Sequence, residues 1–251
     1  MIDTNRWIVR YQSHPKVRLR LFCFPYAGGS TSTYRKWSEL LPSDIEVCPV
    51  QLPGRENRSM EAPFTHVTPL VESLLPVLNS YLDLPYAFFG HSMGALISFE
   101  LARHIRKQRY PEPQHLFVSS RRSPHLPSSE PPIHKLPETA FWEQLRLYDG
   151  VPDTLLQSSQ IAKLFLPLLR ADFAIHETYK YTPGTQFNYP ITAFGGLHDR
   201  KVGSEEIMAW RELTNSDFYL HLFPGNHLFL RKEYQQILSV IARNLSQKIA
   251  A

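Results

Sequence analysis

Ser92 stands in Gly90-His91-Ser92-Met93-Gly94, a G-x-S-x-G pattern joining an apolar stretch, Tyr86 to Phe89, to a helically spaced one, Gly94 to Arg106. A serine at a tight strand-to-helix turn is held in a strained backbone conformation, so its hydroxyl stands clear of the sheet. Glycines two residues before and after give the crowded turn room. The start of the following helix offers free N–H groups to a developing oxyanion. Ser92 is therefore a candidate nucleophile for acyl transfer. The five residues alone recur by chance in loops; the flanking elements give them weight.

A nucleophilic serine needs a base, and the base needs an orienting acid. In a nucleophile-elbow architecture the chain order is Ser, then Asp or Glu, then His. The strand signal ending near Ser119 is followed by no acid until Glu130. The next strand signal, Ile191 to Phe194, runs into Gly195-Gly196-Leu197-His198-Asp199. That places Asp199 beyond a strand's C-terminal end, where sites in open α/β sheets lie. Only His221 and His227 follow it. His221 falls inside a strand signal, whereas His227 lies in the loop Pro224-Gly225-Asn226-His227. Asp199 and His227 are the candidate acid and base, and His198 reads as a solvated loop residue.

The oxyanion hole is expected to combine the Met93 N–H with one from the loop after the first strand, Pro25-Tyr26-Ala27-Gly28-Gly29. Ala27 is the chosen second donor, with Tyr26 as the other possibility.

These groups need a scaffold. Strand signals fall at Arg18–Phe24, Ile45–Val50, Tyr86–Phe89, His115–Ser119, Ile191–Phe194 and Phe218–Phe223. Helical spacing falls between them at Tyr34–Leu41, Val67–Leu82 and Gly94–Arg106, and later at Ser204–Leu213 and Tyr234–Gln247. Such alternation predicts a mostly parallel central sheet flanked by helices. One block breaks it. Residues 121–137 are rich in Pro and Ser, and from Glu138 to about Tyr181 only helical spacing appears. The expected organisation is a core of residues 1–120 and 182–251 with a helical insertion at 121–181. Leu164, Phe165, Leu168, Leu169 and Phe173 would give that insertion an apolar face.

The 251 residues carry 27 Lys and Arg against 23 Asp and Glu, a net charge of +4. Without a dense basic run, that excess does not argue for nucleic acid. No charge-free window is long enough for a membrane span. The amino-terminal segment lacks the apolar core of a secretory signal. Cys23 and Cys48 sit in apolar runs and read as reduced core thiols, so the cytoplasm is the expected compartment. No metal-binding motif is present. The 21 prolines, against 11 glycines, gather between residues 111 and 137 and at strand ends.

Four segments carry a family resemblance. Leu21-Phe22-Cys23-Phe24-Pro25-Tyr26-Ala27-Gly28-Gly29 resembles the opening strand and loop of type II thioesterases, the stand-alone editing enzymes of polyketide and nonribosomal peptide assembly lines. Gln51-Leu52-Pro53-Gly54-Arg55-Glu56, Phe89-Gly90-His91-Ser92-Met93-Gly94-Ala95 and Gly225-Asn226-His227-Leu228-Phe229 are similar to three further signatures, Leu228 standing where the family often has Phe. The resemblance implies an α/β-hydrolase fold with an inserted helical lid, and Ser92, Asp199 and His227 fall on the family's triad positions. It implies a substrate acyl group in thioester linkage to the phosphopantetheine arm of an acyl or peptidyl carrier protein. No cofactor beyond that arm is implied, and a monomer is the family default.

Carrier proteins are usually acidic, which would give Arg55, Arg58, Arg121, Arg122, Arg200 and Lys201 a use in docking. The motifs also admit a general serine esterase or lipase, whose acyl-enzyme is the same kind of ester. A carrier-protein acyltransferase fits less well, because that fold uses a Ser–His pair without a late Asp loop. A non-catalytic interaction module fits least, given three triad candidates.

Overall fold

The computed structural model describes residues 6–12, 14–128, 130–146 and 159–249. In strand β1 (Leu19–Phe24) side chains alternate between two faces, as a pleated strand requires. Leu19, Leu21 and Cys23 enter one apolar core and Phe22 and Phe24 another. Both faces are buried, so β1 is continuously apolar from Leu21 to Phe24, and Arg20 near its start pairs with Glu46. The other strands are β2 (Ile45–Pro49), β3 (Tyr86–His91), β4 (Leu116–Ser119), β5 (Ile191–Gly196) and β6 (Phe218–Phe223). They form a six-stranded sheet in the order β2-β1-β3-β4-β5-β6. Every pairing is parallel.

Helices cover both faces. The first core joins the sheet to α2 (Val67–Asn79) and α3 (Met93–Lys107). The second joins it to α1 (Trp37–Leu40) and to α7 (Tyr234–Ile249). The predicted helix Tyr34–Leu41 is instead a 3-10 turn, Thr31–Tyr34, followed by α1. Tyr34 is buried with its hydroxyl on the Phe24 carbonyl at 2.7 Å and its ring against Trp37, which breaks the run into two. α2 continues through Pro76 and ends at Asn79 rather than Leu82. The predicted helix Ser204–Leu213 is α6 (Ser204–Met208) followed by a 3-10 turn; α4 and α5 belong to the β4–β5 connection.

Between β4 and β5 lie α4 (Glu138–Arg146) and α5 (Ser159–Glu177), with no strand among the described residues there. They share a small apolar cluster of their own, including Ile133, Phe141, Leu145, Leu169 and Phe173. Residues 147–158, part of the stretch of helical spacing from Glu138 to about Tyr181, lie outside the described residues.

The strand order places the site. From β1 the chain steps to β2 on one side, then returns to β3 on the other. The loops after β1 and β3 therefore part at the sheet's C-terminal edge and leave a crevice.

Candidate active site

Ser92 sits where β3 turns into α3, with φ 53° and ψ −112°. Positive φ in a non-glycine residue is strained, and it turns the side chain out of the sheet. The turn closes only because its neighbours are bare. A Cβ on Gly94 would come within 2.1 Å of the Phe24 carbonyl oxygen, and one on Gly90 within 2.2 Å of the Gly94 carbonyl oxygen.

His227 arrives from the loop after β6, with its Nε2 2.9 Å from Ser92 Oγ. Its Nδ1 lies 2.9 Å from Oδ2 of Asp199, which follows β5. A carboxylate only accepts, so Nδ1 carries the proton and Nε2 is left to accept from the Ser92 hydroxyl. Burial works against the Asp199 charge, but the His227 hydrogen bond and charge, with the Lys201 amide, hold its pKa below the usual value. Ser92, His227 and Asp199 thus form one hydrogen-bonded chain. Ser92 lies 135 residues before His227 in the sequence, whereas Asp199 and His227 are 28 apart.

The loop after β1 faces this chain. The Gly28 N–H donates to Asp172 Oδ2 at 2.7 Å and the Gly29 N–H to the Tyr26 carbonyl at 2.8 Å. Pro25 has no N–H, so Tyr26 and Ala27 hold the loop's remaining donors. Both line a cavity of about 300 Å³ that reaches Ser92 and His227. Leu145, Phe165, Leu169 and Phe173 form its apolar side. Leu168 instead packs at Gly54, and Leu164 points to solvent at 76% exposure.

The six basic residues expected at the surface divide. Arg55 and Arg58 are only 6% and 5% exposed and are not docking residues. Arg55 forks onto the buried Asp172, with Nη2 2.7 Å from Oδ1 and Nη1 3.0 Å from Oδ2. Arg58 pairs with Glu61 and stacks on Trp7, its guanidinium 3.9 Å from the ring centre. A guanidinium in such a site must be paired, because its desolvation is otherwise uncompensated. Arg121 and Arg122 line the cavity wall, with the Arg121 carbonyl held by Trp210 Nε1 at 2.8 Å. Lys201 also lines it and bridges to Glu130 at 2.9 Å. Arg200 is exposed.

Sequence reasoning passed over two residues. His91 looked like the variable position of the motif, yet it is fully buried with Nε2 2.9 Å from the His227 carbonyl oxygen and Nδ1 2.9 Å from Ser119 Oγ. Burial first, then the neighbouring His227, pushes its pKa down to about 3, so it is neutral. Ser120 has φ 45° and also donates to the His227 carbonyl, at 3.0 Å. The only sequence signal for either was proximity to a strand end. Among the described residues no group of three His, Cys, Asp or Glu could hold a metal ion, and no helix is long and apolar enough to cross a membrane.

An all-parallel sheet with a strained serine elbow, and with base and acid on the last two strand ends, defines the α/β-hydrolase class. The chain belongs to the thioesterase domain family, whose model matches residues 19–245. It is 42% identical to the gramicidin S biosynthesis protein GrsT of Aneurinibacillus migulanus over 99% of this chain and 97% of that one. The structure is similar to RedJ, a thioesterase from the prodiginine pathway of Streptomyces coelicolor (TM-score 0.86, 39% identity, 91% of each chain). It is also similar to BorB, a type II thioesterase from the borrelidin biosynthetic cluster (TM-score 0.87, 35% identity, 96% of this chain and 98% of that one).

Proposed function

We propose that this thioesterase hydrolyses acyl groups from the phosphopantetheine arm of acyl or peptidyl carrier proteins, clearing misprimed or stalled carriers of an assembly line. The observation that carries the chemistry is the hydrogen-bonded chain Ser92–His227–Asp199 opening into a partly apolar cavity. The similarity to GrsT, RedJ and BorB supports the carrier-borne substrate.

Ser92 Oγ attacks the thioester carbonyl as its proton passes to His227 Nε2. Asp199 holds the imidazole tautomer and offsets the imidazolium charge. The Met93 and Ala27 N–H groups take the oxyanion. The C–S bond breaks, and the thiol leaves with the proton from His227. Water, deprotonated by His227, then attacks the acyl-Ser92 ester; the C–Oγ bond breaks as His227 returns the proton to Ser92, and a carboxylic acid is released. No metal or diffusible cofactor enters this sequence.

In this reading the helical segment between β4 and β5 is a lid, and its Leu169 and Phe173 wall the acyl site. Arg121 and Arg122 at the cavity wall, with exposed Arg200, meet the acidic carrier or its phosphate. The protein would act as a monomer in the cytoplasm, consistent with the free thiols of Cys23 and Cys48.

The test uses acyl-carrier proteins bearing short acyl chains, a small acyl thioester, and its oxygen-ester counterpart. The wild type should prefer thioester to oxygen ester, and Ser92→Ala should lose about three or more orders of magnitude in turnover. Activity of Ser92→Ala within tenfold of wild type would overturn the triad. Replacing Arg121 and Arg122 with Glu should slow the carrier substrate and spare the small thioester. Equal loss on both would remove the docking role.

A further inference from the structure

Asp172 is fully buried on α5, 144 residues from the loop it touches. Its carboxylate receives three donors: Arg55 Nη2 on Oδ1 at 2.7 Å, and on Oδ2 both Arg55 Nη1 at 3.0 Å and the Gly28 N–H at 2.7 Å. Arg55 Nη1 also donates to the Gly29 carbonyl at 2.9 Å. Two consecutive residues of the loop after β1 are therefore gripped, one by its N–H and the next by its C=O. Gln51 Nε2 in turn holds the Arg55 carbonyl at 2.9 Å.

The grip has a geometric consequence. Gly28 stands at φ +74°, a left-handed conformation. Its N–H belongs to the peptide group that begins with the Ala27 carbonyl. Fixing that N–H on Asp172 fixes the orientation of the rigid Ala27–Gly28 peptide plane. The Ala27 N–H then keeps its place beside the cavity that holds Ser92. Leu169, one helical turn before Asp172, closes the other side: a Cβ on Gly28 would meet its Cδ2 at 2.7 Å. The face of α5 that walls the acyl site is thus the face that sets this loop.

A buried ion pair is a weak source of stability, since an apolar pair of similar volume often serves the fold as well. Orientation of hydrogen-bonding groups is what an apolar pair cannot supply. We propose that Arg55 and Asp172 are positioning residues that preset the oxyanion loop, so that the helical segment completes the hydrolytic site as well as covering it. This rests on the reading that Ala27 donates to the oxyanion.

The deciding variant is the double replacement Arg55→Met with Asp172→Leu; Asp172→Asn decides in its place if the double variant does not fold. Turnover is measured on a small p-nitrophenyl ester, per active serine counted by end-point labelling with a fluorophosphonate. Thermal unfolding and the affinity of a trifluoromethyl ketone, which forms a tetrahedral adduct on the serine, are followed in parallel. The proposal expects kcat to fall about 10- to 100-fold while KM stays within about threefold. Ketone affinity should fall by the same factor as kcat. A kcat per active site within twofold of wild type, however the melting temperature moves, would overturn it. So would a lost kcat with undiminished ketone affinity. The small ester involves no carrier protein, so failure on acyl-carrier proteins alone would overturn the carrier reading and leave this result standing. A wild type that neither turns over the ester nor is labelled at Ser92 by the fluorophosphonate would instead overturn the triad.

Discussion

The Nε2 of His91 donates to the main-chain carbonyl of His227 at 2.9 Å, so the residue beside Ser92 holds the backbone of the residue hydrogen-bonded to the Ser92 hydroxyl. A carbonyl only accepts, which puts the His91 proton on Nε2 and leaves Nδ1 to accept from the Ser119 hydroxyl. His91→Leu should remove both bonds. Turnover is expected to fall about 10- to 100-fold through misplacement of His227. Stability should fall by about 1–3 kcal/mol from the buried groups left unpaired. Steady-state kinetics per titrated site, with urea denaturation alongside, check both; an unchanged kcat would show that Ser120 alone suffices to hold that carbonyl.

Gly94 marks the closest approach of α3 to the loop after β1. Since a Cβ there would lie 2.1 Å from the Phe24 carbonyl oxygen, and backbone cannot yield as a side chain can, Gly94→Ala should cost more than about 3 kcal/mol or abolish folding. Ser92→Ala, which removes only a hydroxyl facing the cavity, should fold normally. Circular dichroism and denaturation midpoints of the two variants test this contrast.

Phe173 lines the cavity from α5 and packs edge-on against Phe141 at 5.8 Å between ring centres. Phe173→Leu enlarges that wall without a large void. The ratio of kcat/KM for longer over shorter acyl esters should rise by up to about tenfold. An unchanged chain-length profile would place the acyl group elsewhere in the cavity.

His115 is buried between strands, stacked on Phe117 at 4.1 Å, with Nε2 2.8 Å from Thr192 Oγ1. Burial, aided by Lys248, pushes its pKa down to about 3. An unfolded chain takes up this proton below about pH 6.5, while the folded chain does not until far lower. Between those values the unfolded state binds more protons, so stability falls with pH, by about 1.4 kcal/mol per unit for this group. His115→Gln should therefore flatten the loss of stability between about pH 7.5 and 5, by about 2 kcal/mol, as read from urea midpoints. His91, His176 and His221, whose pKa burial also lowers, act in the same direction, so part of the slope remains. A variant as acid-sensitive as the wild type would contradict this reading.

What the sequence by itself determined is local chemistry and period. The alternating strands and helices follow from hydrophobic spacing, and all six strand signals return as strands, shifted by at most two residues at an end. The elbow is legible because its serine, glycines and flanking elements are contiguous. Asp199 and His227 are legible because the architecture dictates chain order and few candidates remain after the fifth strand. Tertiary structure alone decided which charged groups find buried partners. Arg55 reads as a surface docking residue until Asp172, 117 residues later, folds against it. His91 reads as filler until the last loop brings the His227 carbonyl to its ring. The physical reason is the same in both: a polar side chain's role is set by what satisfies it once water is excluded, and those partners come from distant segments, a helix for Arg55 and the loop after the last strand for His91, that only the packed fold brings together.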